Sequence, residues 1–202
     1  MAAQGNVVLT GGTSPERAYE LAAERRPDWS GAEVWWGDER CVPPDHEWSN
    51  YAMAKRALLD RLRVPPAAVH RIQGELGAER AAELYDRELE GVALDLVLNG
   101  IGPDGHFASL YPNEPTLRIR DRRAIAAESK LEPFVDRVTM TVELLNSAPL
   151  VLFLVTGAEK AEPVRQAFAE PPSEAIPASL ARSTTGRTIV ILDPPAAEKL
   201  TI

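Results

Sequence analysis

Apolar residues in this chain fall into short runs, each stopped by glycine, asparagine or charge, and separated by stretches of helical period. Val7-Val8-Leu9 ends at Gly11-Gly12 and predicts a buried strand. A helix is expected from about Pro15, with Tyr19, Leu21 and Ala22 facing inward. Thr13 or Ser14 would cap it, and Pro15 suits a first turn, where its missing N–H has no partner to lose. Glu33 to Trp36 reads as the next strand. Ser49 to Leu62 places Tyr51, Ala54, Leu58 and Leu62 on one helical face. Val69 to Ile72 predicts a short strand, and Ala78 to Glu90 a helix closed by Gly91. Leu94 to Leu98 is a strand ending at Asn99-Gly100. A weaker strand is expected near 124–127, and Arg137 to Val142 alternates so cleanly that one of its faces is polar. Leu150 to Val155 is nearly continuous apolar sequence, as in a central parallel strand. A helix from about Glu159 to Phe168, a strand from Thr188 to Leu192 and a short proline-initiated helix complete the pattern. Such alternation predicts an α/β fold with a mostly parallel sheet and helices on both faces. Ligands of such sheets bind where strands end, so candidate chemistry is sought there.

Composition narrows the class. The 202 residues fit one domain, and 45% apolar with 26% charged residues is an ordinary globule rather than a disordered chain. No internal repeat or low-complexity linker divides it, and its Pro-Pro pairs mark turns. With 22 basic and 30 acidic residues the net charge is −8, which argues against general binding to nucleic acid or anionic membrane. Taken over the whole chain, that charge also disfavours an anionic substrate. The single cysteine, Cys41, excludes an intrachain disulfide and fits the reducing cytoplasm. No stretch is long and apolar enough for a bilayer span. The opening Met1 to Asn6 has no basic, apolar character, so neither a signal nor a transit peptide is expected.

Four strand ends hold candidate chemistry. Thr10-Gly11-Gly12-Thr13-Ser14-Pro15 joins a strand to a helix and reads either as a phosphate cradle or as a plain tight turn. It has no lysine, so it is not a nucleotide P-loop. Asp38-Glu39-Arg40, taken alone, reads as a local salt-bridge cluster; Cys41 reads as a small buried filler and His46 as a solvated loop histidine. Gly100, Gly102 and Gly105 form G-x-G-x-x-G after a strand. Pro103 and Asp104 would press on a pyrophosphate there, the aspartate repelling it, and no second βαβ unit follows, which argues against a dinucleotide site. His106 at the end of that loop is either a general base or a histidine serving loop backbone, with Asp104 to orient it or to bind a sugar hydroxyl. His70, in a short strand without obvious partners, reads as structural. Arg137 and Lys160 gain meaning only because their segments should end near the others. Zinc spacing, a calcium loop and a serine-hydrolase elbow are all absent from the sequence, so metal-free, non-covalent chemistry is expected.

Gly11-Gly12-Thr13-Ser14-Pro15, Asp38-Glu39-Arg40 with Val42-Pro43 and Ser49-Asn50, Gly100 to His106 with Ser109 and Pro112, Arg137-Val138-Thr139, and Gly157 with Lys160 resemble, in this order and over nearly the whole chain, the 6-phosphogluconolactonases. The related glucosamine-6-phosphate deaminases share the first loop and the Asp-Gly-His segment. Arg40 stands where those deaminases usually carry tyrosine, and the segment after His106 lacks their glutamate. The resemblance implies a single three-layer, Rossmann-like α/β sandwich over residues 1–202, short of the family's usual helix before the first strand. It implies hydrolysis of 6-phospho-D-glucono-1,5-lactone to 6-phosphogluconate in the oxidative pentose phosphate pathway, with no cofactor and no metal. The expected partner is a small sugar phosphate, with no nucleic acid or membrane, and the protein would be a monomer or weak homo-oligomer. Gly11, Gly12 and Thr13 would hold the phosphate with Lys160 as counter-charge, and His106 would activate water. Arg40 would steady charge at the carbonyl oxygen or the phosphate. Arg137 would touch sugar oxygens or phosphate, and Asp38 and Asp104 would bind hydroxyls or fix Arg40 and His106. Because charge is screened over about 8–10 Å, such a pocket can be positive on an acidic globule. A deaminase, a non-catalytic sugar-phosphate sensor and an NAD-dependent oxidoreductase are the rival expectations.

Overall fold

The structure, a computed structural model, describes residues 4–200. Its centre is a six-stranded sheet made of β1 (Gln4–Leu9), β2 (Gly31–Trp36), β4 (Ala68–His70), β5 (Leu96–Asn99), β8 (Leu150–Val155) and β9 (Arg187–Leu192). Every pairing in it is parallel, in the order β4-β2-β1-β5-β8-β9. Flanking helices complete a Rossmann-like three-layer α/β fold. They are α1 (Thr13–Arg25), α2 (Asn50–Ala57), α3 (Ala78–Glu88), α4 (Val142–Ser147), α5 (Ala161–Phe168) and α6 (Pro194–Ala197). The apolar runs of β1 and β5 account for the centre: Val7, Val8, Leu9 and Val97 are wholly inaccessible to solvent. From β1 the chain builds outward to β2 and β4, then returns to β5 on β1's other side. The direction of winding therefore reverses between β1 and β5, and a crevice opens at the carboxyl ends of these two strands.

A second sheet is antiparallel and has the order β3-β7-β6, with β3 (Asp38–Arg40), β7 (Arg137–Met140) and β6 (Ala124–Ala127). Asp38-Glu39-Arg40, expected as a strand-end loop, is thus itself a strand, in register with Arg137 to Thr139. Three consecutive charged residues carry no strand pattern of their own; the pairing with β7 imposes it. The polar face foreseen for the 137–142 run exists but is buried, with Arg137 and Thr139 at most 5% exposed.

Other departures have local causes. The cap of α1 is Gly12, with φ of 104°, rather than Thr13 or Ser14, which already lie inside the helix. Helix α1 buries Pro15, Tyr19 and Ala23, leaving Leu21 and Ala22 half-buried at its flanks. The helix expected to reach Leu62 ends at Ala57; Leu58 leaves helical geometry and is fully buried, and a single 3-10 turn follows. Strand β8 lies inside the sheet, yet Leu150, Leu152 and Leu154 on one of its faces are only half-buried. His70 has partners: it stacks on Trp35 at 3.7 Å and lies within hydrogen-bond reach of Glu33 and Glu88. Two tyrosines pin helices to strand ends. Tyr19 Oη donates to the Thr10 carbonyl and accepts its N–H, and Tyr85 Oη does the same at Trp36. Among the described residues, no helix is long and apolar enough to cross a membrane.

Candidate active site

The crevice at the β1/β5 switch holds a cavity of about 290 Å³, lined by Gly11, Gly12, Thr13, Asp38, Arg40, His106, Arg137 and Lys160; Asp104, Glu39, Cys41 and His46 do not line it. One end is the turn after β1. Gly12 needs its positive φ to swing the chain into α1, and this leaves the first N–H groups of the helix facing the crevice end of the strand. At Gly11 a Cβ would overlap Asn50 Oδ1, so only glycine lets this backbone run against Asn50. Ser14 Oγ bonds Thr156 Oγ1, tying the first turn of α1 to the end of β8. Lys160, in the turn that follows, is half-buried, lines the cavity and makes no ion pair among the described residues. A helix N-terminus and an unpaired cation lining one cavity are an arrangement whose field favours negative charge.

The other end is the loop after β5. Asp104 Oδ1 lies 2.5 Å from His106 Nδ1 and also accepts the His106 backbone N–H at 3.1 Å. The Gly102 N–H donates to the His106 carbonyl at 2.8 Å, closing the loop. A Cβ on Gly102 would overlap the imidazole ring, and Gly105 has φ of 83° with Ile176 packed where its side chain would be. The glycines here give the His106 ring and Ile176 the room they occupy. Burial would raise the Asp104 carboxyl, but its bonds and charge interaction with His106 outweigh that and hold it below the usual range. A carboxylate on Nδ1 fixes the ring and leaves Nε2 as its free position.

Between the two ends lies β3. The salt-bridge cluster expected of Asp38-Glu39-Arg40 does not form, because the strand sends the three side chains to different partners. Glu39 turns to the start of α2, where its two oxygens accept the N–H groups of Arg40, Asn50 and Tyr51 and the Ser49 hydroxyl. Asp38 Oδ2 accepts the Ser109 hydroxyl at 2.7 Å, three residues past His106. Arg40 Nη1 donates to the Trp48 carbonyl at 2.8 Å and to Asn50 Oδ1 at 2.6 Å. Arg137 lines the cavity, yet its Nε and Nη2 are given to Val135, Pro133 and Ser129, the loop before its own strand. Cys41 is half-buried, its thiol pushed up to about 11 by burial and by Asp136 and Glu39, which suits a filler and not a nucleophile. His46 accepts the Trp48 N–H in an exposed loop. Asn50 lines the cavity too; the sequence marked it only as part of the Ser49-Asn50 motif, with no role attached.

Fold and crevice define a class: Rossmann-like α/β proteins that bind small molecules where the strand order reverses. Sequence comparison narrows it. The family described as glucosamine-6-phosphate isomerases/6-phosphogluconolactonase matches residues 2–190, and the chain belongs to that family. It is 37% identical to a 6-phosphogluconolactonase of Synechocystis over 98% of this chain and 85% of that protein. It resembles the crystal structure of 6-phosphogluconolactonase from Thermotoga maritima with a TM-score of 0.84 and 31% identity, covering 95% of this chain and 87% of that one. A monomeric glucosamine-6-phosphate deaminase superposes with a TM-score of 0.85 over 98% of this chain and 89% of that one, but at 19% identity this reflects the shared fold alone.

Proposed function

We propose that this protein is a carboxylic ester hydrolase that opens 6-phospho-D-glucono-1,5-lactone to 6-phosphogluconate, the lactonase step of the oxidative pentose phosphate pathway. The observation that carries the reading is the Asp104–His106 pair, held in the same cavity as a cation-flanked helix N-terminus. The substrate phosphate sits on Gly11, Gly12 and Thr13, with Lys160 and Arg40 as counter-charges. Arg40 belongs to this end because the Asn50 oxygen that accepts its Nη1 also abuts Gly11. The lactone carbonyl then lies toward His106. His106 Nε2 takes a proton from water as its oxygen bonds to C1. The C1–ring-oxygen bond breaks and the same proton returns to the departing oxygen, giving the free acid and a hydroxyl. Asp104 holds the ring and steadies its transient charge; a positioned base of this kind is worth about 10²–10⁴ in rate. Asp38, tied to Ser109, keeps the His106 loop in place. We place the enzyme in the cytoplasm, where Cys41 stays reduced.

The deaminase reading is less well supported, because His106 has its carboxylate partner two residues before it and none in Phe107-Ala108-Ser109 after it. Lactone loss timed against the spontaneous background tests the reading. A rate well above background with no ammonia released from glucosamine 6-phosphate is the expected result. Ammonia release, or lactone loss at the background rate, overturns it. A second expectation concerns charge. Despite a net charge of −8, 6-phosphogluconate binding should weaken as salt is added, because Arg40, Lys160 and a helix end attract the phosphate locally. Titration calorimetry from low to high ionic strength checks this; tighter binding at high salt would mean that repulsion from the acidic surface governs.

A further inference from the structure

Asn50 belongs to the Ser49-Asn50 sequence motif, but the task of its amide shows only in the fold. It is 2% exposed, and each of its polar atoms has an assigned partner. Oδ1 accepts Arg40 Nη1 at 2.6 Å, while Nδ2 donates to the Asp38 carbonyl at 2.9 Å and to Asp38 Oδ1 at 3.3 Å. The orientation is forced, since a guanidinium only donates and those two Asp38 oxygens only accept. The backbone N–H of Asn50 is held by Glu39, and its Oδ1 fills the space that a Gly11 side chain would take. One residue thus touches the phosphate loop, the cation and the carboxylate that secures the His106 loop.

Arg40 has no ion pair among the described residues, and its Nε is buried with no partner. Two neutral oxygens, from Asn50 and the Trp48 carbonyl, do all of its positioning. An aspartate or glutamate could hold the guanidinium at least as firmly, but would also cancel the charge that an incoming anion needs. We propose that Asn50 is the positioning residue of Arg40: a neutral clamp that fixes the guanidinium beside the Gly11 turn while leaving its charge free for the substrate phosphate. This rests on the proposed sugar-phosphate site but not on lactone chemistry.

The test is binding of inorganic phosphate and of 6-phosphogluconate by calorimetry to wild type, Asn50→Asp, Asn50→Ala, Arg40→Ala and the Asn50→Ala/Arg40→Ala double variant, with thermal melts alongside. Asn50→Asp keeps the shape of the side chain but pairs ionically with Arg40 and faces the Asp38 oxygens. It should weaken both anions by about a hundredfold, with the larger loss at low salt, where charge counts most. Asn50→Ala should raise KM for the lactone about tenfold with kcat within about threefold, because anchoring and not chemistry is lost. Added to Arg40→Ala it should cost nothing further, since the group it positions is already gone. If Asn50→Ala does not fold, Asn50→Asp alone decides. Phosphate binding at wild-type strength in Asn50→Asp, additive losses in the double variant, or no phosphate binding by the wild type each overturn the inference. Failure of the lactonase reading would show separately, as wild type that binds phosphate and leaves the lactone untouched.

Discussion

Replacing His106 with alanine is expected to lower kcat for the lactone by about 10²–10⁴-fold, while 6-phosphogluconate still binds within about threefold of wild type. The split follows from where the two tasks sit. Phosphate recognition is assigned to the end of β1, the start of α1 and Lys160, whereas His106 stands on the loop after β5. Removing the imidazole takes away the proton acceptor without touching the anion site. Gly102→Ala approaches the same atom from the opposite side: its Cβ would overlap the ring, so the ring must turn and the bond to Asp104 must lengthen. A kcat loss smaller than that of His106→Ala, again at nearly constant product affinity, is the companion expectation. Steady-state kinetics corrected for spontaneous opening, with product titration, measures both. Turnover by His106→Ala near the wild-type rate would remove His106 from the chemistry.

The two ends of the cavity differ in how plainly the sequence announces them. Turns that need positive φ or close backbone approach use glycine, so Gly11-Gly12 and the Gly100 to Gly105 loop stand out in a single chain, and His106 stands out with them. The innermost parallel strand β1 is equally plain, because burial on both faces writes itself as an unbroken apolar run in Val7 to Leu9. β3 is not plain. Its three residues are all charged, and they form a strand only because β7, some hundred residues on, supplies the partner. Helix α4 is six residues long and rests on the Thr141 cap, too short for a period to show. Asn50 illustrates the limit best: its contacts to Arg40, Asp38 and Gly11 join three separate segments, and only their folding together gives it a task. Charge shows the same limit. The net value of −8 describes the whole surface, whereas the cavity is lined by Arg40, Arg137 and Lys160. Their grouping comes from strand order and not from composition.

Glu39 yields the largest expected loss of stability. It is 3% exposed, and its carboxylate gathers four donors at the point where β3 leads into α2. Glu39→Ala strands three backbone N–H groups and a hydroxyl. Each stranded donor costs about 1–3 kcal/mol, and water entering the vacated space recovers part, so a net loss of about 3–5 kcal/mol is expected. For a chain of this size that is a fall of about 10 °C in Tm. Glu39→Gln is expected to lie between wild type and alanine, because its amide nitrogen would face two donors where an oxygen stood. The carboxyl also sets a slope with pH. Burial raises it above the ordinary range despite the four donors. Between the ordinary value and the raised one the folded state therefore holds more proton than the unfolded chain, and Glu39's contribution falls as pH rises through that window. Asp104 acts with the opposite sign: its lowered carboxyl stabilises above the ordinary range, and that stability is lost as pH falls through the lowered value. Urea unfolding of wild type and Glu39→Gln across the acidic range separates the two. The Gln variant should lose the Glu39 slope and keep the Asp104 one, since no proton is left to bind at position 39. Equal slopes in both proteins, or a Glu39→Ala melt within about 2 °C of wild type, would mean that the four donors find other partners and that Glu39 does not hold β3 to α2.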